Sequence, residues 1–186
     1  MIKKEMSSGS ALLNPAQAGQ ERMLKYKTLA VAFLYPDDNL FGIFPDIRPD
    51  REKLQAEYDR LFRAKEIWLY TTEYLAENEF QRADYLADIM GFYRAFGMDT
   101  NKDRPDALPG VLEFMYYLIF KEQRAQATEN ALICLDAQKK FFTQYVYAPA
   151  KKIAETIIAQ AQNSFYKEMA EELLEFVESE KKVLAR

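Results

Sequence analysis

The stretch ADYLADIMGFYRAFGMDTNKDRPDALPGVLEFMYYLIFKE, residues 83–122, predicts two helices that flank a polar loop. We expect the first helix to follow Asn78, a favourable N-cap residue, and to stop at Gly97, because glycine readily adopts the backbone conformation that ends a helix. Its expected core face recurs at three- and four-residue spacing and consists of Ala83, Leu86, Ala87, Met90, Tyr93 and Phe96.

The second helix of this stretch is expected to begin at Pro109, since the missing amide hydrogen of proline costs nothing in the first turn of a helix. Glu113 is the only charged residue in 111–120, and the other side chains are apolar or aromatic. We therefore predict a helix that is buried on most sides. A buried carboxylate needs a partner, so we predict an internal Arg or Lys partner for Glu113, with Arg94 as the candidate.

The rest of the chain continues the helical pattern. We predict a flexible lead over residues 1–18 and one all-helical domain over residues 19–186. Residues 64–78 include an apolar run with strand-like propensity, but no second strand is evident, so a loop with a short helix is expected there. The fold class is all-α, a single-domain helical bundle of about seven or eight helices. The expected helices cover about 20–35, from Pro49 onward, 128–146 with an N-cap at Thr128, from Pro149 onward, and from a cap at Ser164. The expected core face of the first is Met23, Leu24, Tyr26, Leu29, Ala30, Phe33 and Leu34.

Composition describes a folded, acidic protein. Hydrophobic residues make up 49% of the 186 residues and aromatic residues 14%, which argues against disorder. Lys and Arg total 25 against 29 Asp and Glu, a net charge of -4. Since nucleic-acid binding needs a positive surface, we expect no nucleic acid as partner. An acidic surface favours a basic ligand, such as an arginine-bearing peptide.

Histidine is absent from the sequence, and Cys134 is the only cysteine. This excludes His-based acid–base catalysis, Ser-His and Cys-His nucleophile pairs, and an internal disulfide. We expect Cys134 to be a small core residue. Carboxylates could in principle form a catalytic pair, but no spacing singles one out. We therefore predict a protein that is not an enzyme and that needs no metal or other cofactor.

The first residues lack the features of a secretory signal. Lys3 and Lys4 are followed by a Ser-rich segment rather than an apolar one, and no run is long enough to span a membrane. We therefore expect a cytoplasmic protein without stable membrane insertion.

Four segments carry a resemblance to a known family. DIMGFYRAFG at 88–97, Arg104-Pro105-Asp106, LEFM at 112–115 and, upstream, EYDRLF at 57–62 occur in the expected order. Together they resemble the TorD/DmsD/NarJ family of redox-enzyme maturation chaperones, over roughly residues 24–150. One position departs from the family: its loop usually ends Pro-Asp-His, whereas this chain has Ala107. No imidazole can bond or titrate there.

The resemblance implies a cytoplasmic chaperone for one molybdenum- or tungsten-pterin oxidoreductase. Such a chaperone binds the catalytic subunit of its client, in many cases at a twin-arginine N-terminal leader peptide, and assists cofactor insertion before export. It is expected to be a monomer or a domain-swapped dimer. The alternative is a permanent helical accessory subunit of an oxidoreductase complex.

The resemblance also implies a set of client-binding residues. The residues predicted on this basis are Tyr58, Leu61, Phe62, Tyr93, Asp106, Glu113 and Phe114. For Tyr58, Leu61 and Phe62, which share one helical face, the alternative is a plain core role. For Asp106, pairing with a client arginine competes with a local cap or Asx-turn that satisfies orphan backbone N–H groups.

Overall fold

In a computed structural model of the chain, the described residues are 15–64, 67–98 and 104–185. They form eight α-helices, two 3-10 turns and two π-helical turns, and the only β-type pairing among them is an isolated bridge. The predicted all-α class is confirmed. The α-helices are α1 Pro15–Ala32, α2 Asp38–Ile43, α3 Arg51–Asp59, α4 Glu79–Ala95, α5 Leu108–Arg124, α6 Thr128–Phe141, α7 Tyr147–Gln160 and α8 Ser164–Leu184.

Short helical turns link several of these helices. A 3-10 turn at Pro45–Asp50 leads into α3, and a π-helical turn at Arg60–Ala64 extends it. A second 3-10 turn lies at Thr71–Tyr74, inside the segment predicted as a loop with a short helix. The π-helical turn Phe142–Val146 joins α6 directly to α7, so Pro149 lies inside α7 rather than at its start.

Helix α5 is the centre of the bundle. It packs along α1 on one side and α6 on the other, while α7 and α8 form a second antiparallel pair that meets α1. The continuous apolar run explains this position, because seven side chains of α5 are buried: Leu108, Val111, Leu112, Phe114, Met115, Leu118 and Ile119.

The ends of α4 lie where the sequence predicts them. The Asn78 side chain accepts a hydrogen bond from the Gln81 amide at 3.0 Å. At the other end Gly97 has a φ of 78°, the left-handed conformation, and the Met98 amide donates to the Tyr93 carbonyl at 2.9 Å. This is the Schellman arrangement that glycine permits.

The predicted core face of α4 is wrong in part. Ala83 and Ala87 are exposed, whereas Tyr93 is buried as predicted and Ile89, outside the predicted face, is buried as well. The large rings bury more area than alanines do, so the aromatic side of α4 faces the core and the small residues face solvent. In the first predicted helix, Leu24 is exposed although the pattern places it in the core, and Leu34, also exposed, lies beyond the end of α1.

The first and last helices are joined by a buried polar network. Arg22 on α1 donates to both carboxylate oxygens of Glu180 on α8, at 2.7 and 2.8 Å, and the Tyr26 hydroxyl donates to the same carboxylate at 2.9 Å. Arg22 also donates to Gln138 on α6. Burial, first, and the neighbouring Glu180 carboxylate raise the pKa of Tyr26 well above its usual value, so the hydroxyl stays a donor.

Glu113 has an internal basic partner, as predicted, but that partner is Lys27 and not the candidate Arg94. Glu113 lies at the edge of α5 that faces α1, where it accepts a hydrogen bond from the Lys27 ammonium at 2.5 Å. Its side chain is 45% exposed, so the carboxylate is solvated and needs no buried partner. The α1–α5 contact therefore ends in a surface ion pair.

Candidate functional site

A cleft of about 560 Å³ opens where four segments of the chain meet. These are the end of α1 with the residues after it, the π-helical turn after α3, the extended segment 67–70 and the start of α5. We call it the aromatic cleft. Its lining residues are Phe33, Leu34, Tyr35, Tyr58, Phe62, Arg63, Trp68, Leu69, Tyr70, Ala107 and Pro109.

The aromatic cleft exposes large apolar side chains. Trp68 is 45% exposed, and Leu34 and Tyr35 on the opposite wall are exposed to a similar degree. Burying an exposed aromatic side chain against a ligand releases more free energy than burying most other types. The exposed side chains of the cleft therefore favour binding of an apolar ligand.

Ring contacts fix the shape of one wall. The Tyr58 ring lies 5.3 Å from that of Tyr35 and 4.7 Å from that of Phe62, both edge to face. Phe62 packs in turn on Tyr166 of α8 at 5.6 Å. Rings held by other rings lose little further rotamer freedom on binding, which favours a preformed site.

The floor of the cleft is held by two backbone hydrogen bonds. The Thr71 amide donates to the Asp106 carbonyl at 2.9 Å, and the Leu108 amide donates to the Leu69 carbonyl at 2.8 Å. The strand-like run thus has a partner after all, in the residues just before α5, which form an isolated bridge with it at Tyr70 and Ala107. This pairing sets Trp68 and Tyr70 beside the start of α5.

Asp106 lies beneath this floor and is fully buried. Arg104 donates to its two oxygens at 2.9 and 3.1 Å, and Thr72 donates through its amide and its hydroxyl. Burial alone would raise the pKa of Asp106, but these bonds hold the pKa below its ordinary value, so the carboxylate is ionised. Its carboxylate accepts the Thr72 amide in the first turn of the 3-10 turn and so satisfies an orphan N–H there, in line with the local-cap alternative, although Ala107 and not Asp106 is the N-cap of α5. The arginine that binds Asp106 in the described residues is the internal Arg104.

Arg104 continues the network toward the surface. Its guanidinium also donates to Glu73 at 3.0 Å, and Glu73 forms a second ion pair with Arg82 of α4. The same guanidinium lies 3.7 Å from the centre of the Tyr70 ring. One arginine therefore ties Asp106, the 3-10 turn and a ring of the cleft together.

Of the seven predicted site residues, Tyr58 and Phe62 line the cleft. Leu61 and Phe114 are completely buried in the core, and Glu113 is on the α1–α5 edge described above. Tyr93 is buried with its hydroxyl donating to the Pro105 carbonyl at 2.8 Å. Tyr93 thus positions the turn that carries Asp106.

Sequence reasoning missed the other cleft side chains. The helical pattern places Leu34 in the core and predicts no binding role for Tyr35, Trp68 or Tyr70. The available signal was the dense apolar run at 68–70 between charged neighbours. Exposure of that run depends on its pairing with residues before α5, which no local pattern encodes.

Ala107, which replaces the histidine usual in the resembled family, lines the aromatic cleft beside Pro109. A methyl group there adds apolar surface and neither donates nor accepts hydrogen bonds. At this position the cleft of this chain is therefore apolar.

The sequence profile of the nitrate reductase delta subunit family matches residues 44–150. The chain belongs to this family. Its members are assembly chaperones for molybdenum enzymes, so the resemblance inferred from the motifs is confirmed. The matched range contains three of the four walls of the cleft and leaves out only the end of α1. None of the curated protein sequences compared with the chain matches it.

The described residues were also considered as a possible metal site and as possible membrane spans. In the described ranges, no group of three or more His, Cys, Asp or Glu side chains could hold a metal ion. The helices described above include none that is both long and apolar enough to cross a membrane.

Proposed function

We propose that this family member is a cytoplasmic chaperone that binds the catalytic subunit of a molybdopterin-dependent oxidoreductase before export, and that it holds the N-terminal leader peptide of that subunit in the aromatic cleft. The observation that supports this most is the cleft itself, with Leu34, Tyr35 and Trp68 exposed on its walls. Its volume lies within the range of about 300 to 1,000 Å³ typical of ligand sites. Assistance with cofactor insertion follows from holding the unassembled subunit.

The apolar part of a leader suits the cleft walls. Leader peptides carry an apolar segment of roughly 7 to 15 residues, which needs cover from water before translocation. Trp68 on one wall and Tyr35 with Tyr58 on the other would contact successive side chains of such a segment. The ring contacts that hold Tyr58 keep that wall open without a bound peptide.

The basic part of a leader suits the faces of the same rings. The chain already stacks its own arginines there, Arg63 over Tyr35 at 5.3 Å and Arg104 over Tyr70 at 3.7 Å. A ring face attracts a guanidinium by its quadrupole, by about 0.5 to 2 kcal/mol. We propose that client arginines use the same kind of contact, helped by the net negative charge of the chaperone.

In this proposal Asp106 acts indirectly. Because Arg104 and Thr72 satisfy its carboxylate in the interior, Asp106 holds the floor of the cleft in place rather than meeting the client. Tyr93 has the same kind of role through the Pro105 carbonyl. Contact with the client is assigned to Tyr58 and Phe62, among the seven predicted residues.

The test is titration calorimetry with synthetic leader peptides of molybdenum-enzyme catalytic subunits. Trp68→Ala should weaken binding by about tenfold or more, since an aromatic anchor contributes above 1 kcal/mol. Phe80→Ala is the matched control, because Phe80 is 86% exposed but lines no part of the cleft. Both variants should keep the melting temperature of the parent protein.

Two results would contradict the proposal. One is an absence of binding to leader peptides and to full-length catalytic subunits without cofactor. The other is equal loss of affinity in Trp68→Ala and Phe80→Ala. Co-purification with the mature, cofactor-loaded enzyme would favour the permanent accessory subunit, since a chaperone releases its client.

A further inference from the structure

A second apolar surface lies on the other side of the molecule's central helix, between α4 and α6. It consists of two adjoining hollows of about 540 and 570 Å³, and both are lined by Ala95, Phe96 and Ile133. Measured along α6 and the turn after it, from Asn130 to Gln144, this groove is roughly 20 Å long at 1.5 Å per residue. We call it the α4/α6 groove. It is long enough for one helix of about fourteen residues.

The floor of the α4/α6 groove is made of small residues. Ala87, Gly91 and Ala95 follow one another at four-residue spacing and are exposed. A side chain added at Gly91 would meet no atom within 4 Å, so packing inside this chain does not require glycine there. A glycine inside a helix costs free energy relative to alanine, and a close approach by another helix would explain its presence.

The rim of the groove is a ridge of exposed aliphatic side chains on α6. Ile133 is 53% exposed and lies where the two hollows meet, with exposed Leu132 beside it. Exposed Ile133 and Leu132, next to a floor of exposed small residues, can pack into the groove of a second copy of the same surface. A twofold axis through Ile133 would lay α6 antiparallel to α6 of a partner, each ridge in the other groove.

The charges at the two ends of the groove fit such an arrangement. Lys121 and Arg124 of α5 line the end at the start of α6, and Asp88 and Asp136 line the other hollow, where Lys140 pairs with Asp136. A twofold axis brings the basic end of one copy to the hollow of the other that contains Asp88, a carboxylate with no ion-pair partner among the described residues. Arg124 of each chain would then face Asp88 of its partner.

We propose that the α4/α6 groove is the interface of a symmetric, unswapped homodimer. The aromatic cleft stays open in this dimer, because the two surfaces use opposite ends of α5: Pro109 lines the cleft and Lys121 and Arg124 line the groove. None of the residues assigned to client contact lines the α4/α6 groove. A protein that stays monomeric could therefore still bind its client, and a dimer could form without any client binding.

Analytical ultracentrifugation of the full chain over micromolar to millimolar concentrations tests the dimer. The parent protein should sediment as a reversible monomer–dimer equilibrium. Ile133→Asp should weaken dimerisation by about a hundredfold, since it places a charge at the centre of the interface, and should keep the parent melting temperature. Leu24→Asp is the matched control, since Leu24 is an exposed leucine on α1 that lines neither surface, and this variant should dimerise as the parent does.

Charge exchange gives a second test that does not depend on the fold tolerating Ile133→Asp. Arg124→Glu and Asp88→Lys should each weaken the homodimer about tenfold. An equimolar mixture of the two variants should form heterodimers more tightly than either variant alone, because each contact then joins unlike charges. The double variant should recover the parent affinity.

Three outcomes would overturn the proposal. They are a parent protein that stays monomeric throughout the concentration range, a dimer that persists in Ile133→Asp, as a domain-swapped dimer would, and a mixture of charge variants that associates no better than its components.

Discussion

The aromatic cleft and the α4/α6 groove have hollows of similar volume but different construction. The cleft is walled by rings that contact one another, and its floor rests on a buried carboxylate with an internal arginine. The groove has a floor of alanine and glycine and a rim of exposed aliphatic side chains. The first kind of site is shaped before it is occupied. The α4/α6 groove is an open surface along which another helix can pack.

The largest expected difference concerns the apolar side chains of the two surfaces. Phe62 lines the cleft but is mostly buried, so Phe62→Ala should lower the free energy of unfolding by about 3 kcal/mol. Ile133→Ala in the groove should cost less than about 1 kcal/mol, because that side chain is half exposed. Urea unfolding of both variants measures this. Equal losses would mean that the two surfaces are equally integral to the core.

A smaller difference is expected for the carboxylates. Asp106→Asn removes the charge that Arg104 neutralises, and we expect a loss of about 2 kcal/mol, below the usual cost for a broken buried pair because Arg104 keeps Glu73. Asp88→Asn, at the groove, should cost under about 0.5 kcal/mol, since that carboxylate accepts a single long hydrogen bond from the described part of the chain, from Tyr145 at 3.3 Å. Thermal unfolding at neutral pH compares them. If Asp106→Asn leaves the melting temperature unchanged, the Asp106 network does not stabilise the floor of the cleft.

Acid should weaken the hydrogen-bond network of Glu57, beside the cleft. Glu57, one residue before Tyr58, accepts hydrogen bonds from Arg60 and from the amides of Gln162 and Asn163. The Arg60 bond, chiefly, lowers the pKa of Glu57, although burial opposes it. Its stabilisation is therefore complete above the unfolded-state pKa of about 4.3 and is lost as pH falls through the lower native value.

The variant Glu57→Gln tests this dependence. It should lose about 1.5 kcal/mol at pH 7, the worth of a charge-assisted hydrogen bond, and its stability should fall less steeply than that of the parent below about pH 4. The control is Asp136→Asn at the groove, an exposed pair that should leave the acid limb unchanged. Parallel acid limbs for Glu57→Gln and the parent would show that this carboxylate does not contribute.

The smallest effect should be a gain in stability. Gly91→Ala adds a methyl group in open space and removes a flexible residue from the middle of α4, so the monomer should gain about 0.5 to 1 kcal/mol. Denaturant unfolding at low protein concentration isolates the monomer. A loss instead of a gain would show that the helix needs glycine there for its own conformation.

The helices, the single domain and the ends of α4 could be predicted, because they depend on local signals such as Asn78, Gly97 and the apolar run of α5. The orientation of α4 could not. Its small residues and its rings recur at the same spacing, and only the rings of α6 and its following turn, against which Phe92 packs, decide between them.

The site could be predicted only in part, because local signals identify some of its residues and long-range pairing places the others. Tyr58 and Phe62 follow from the motif, whereas the positions of Trp68 and of Thr72, which donates to Asp106, depend on backbone pairing between residues more than thirty positions apart. The charge of Asp106 suggests a partner but not its origin. An arginine two residues away satisfies that carboxylate, and no periodic pattern distinguishes such a neighbour from an external ligand.

The network that joins α1 to α8 affects the order in which the protein folds during synthesis. Arg22 and Glu180 are 158 residues apart, so during synthesis the first helix leaves the ribosome long before its buried partner exists. Until α8 is made, the Tyr26 hydroxyl would lie without its carboxylate acceptor and the Arg22 guanidinium would have Gln138 of α6 but no counter-charge, at a cost that disfavours early docking of α1. The wall of the aromatic cleft at the end of α1 is therefore expected to close late, after translation of α8. The aromatic cleft is thus expected to be incomplete while the chain is still being synthesised.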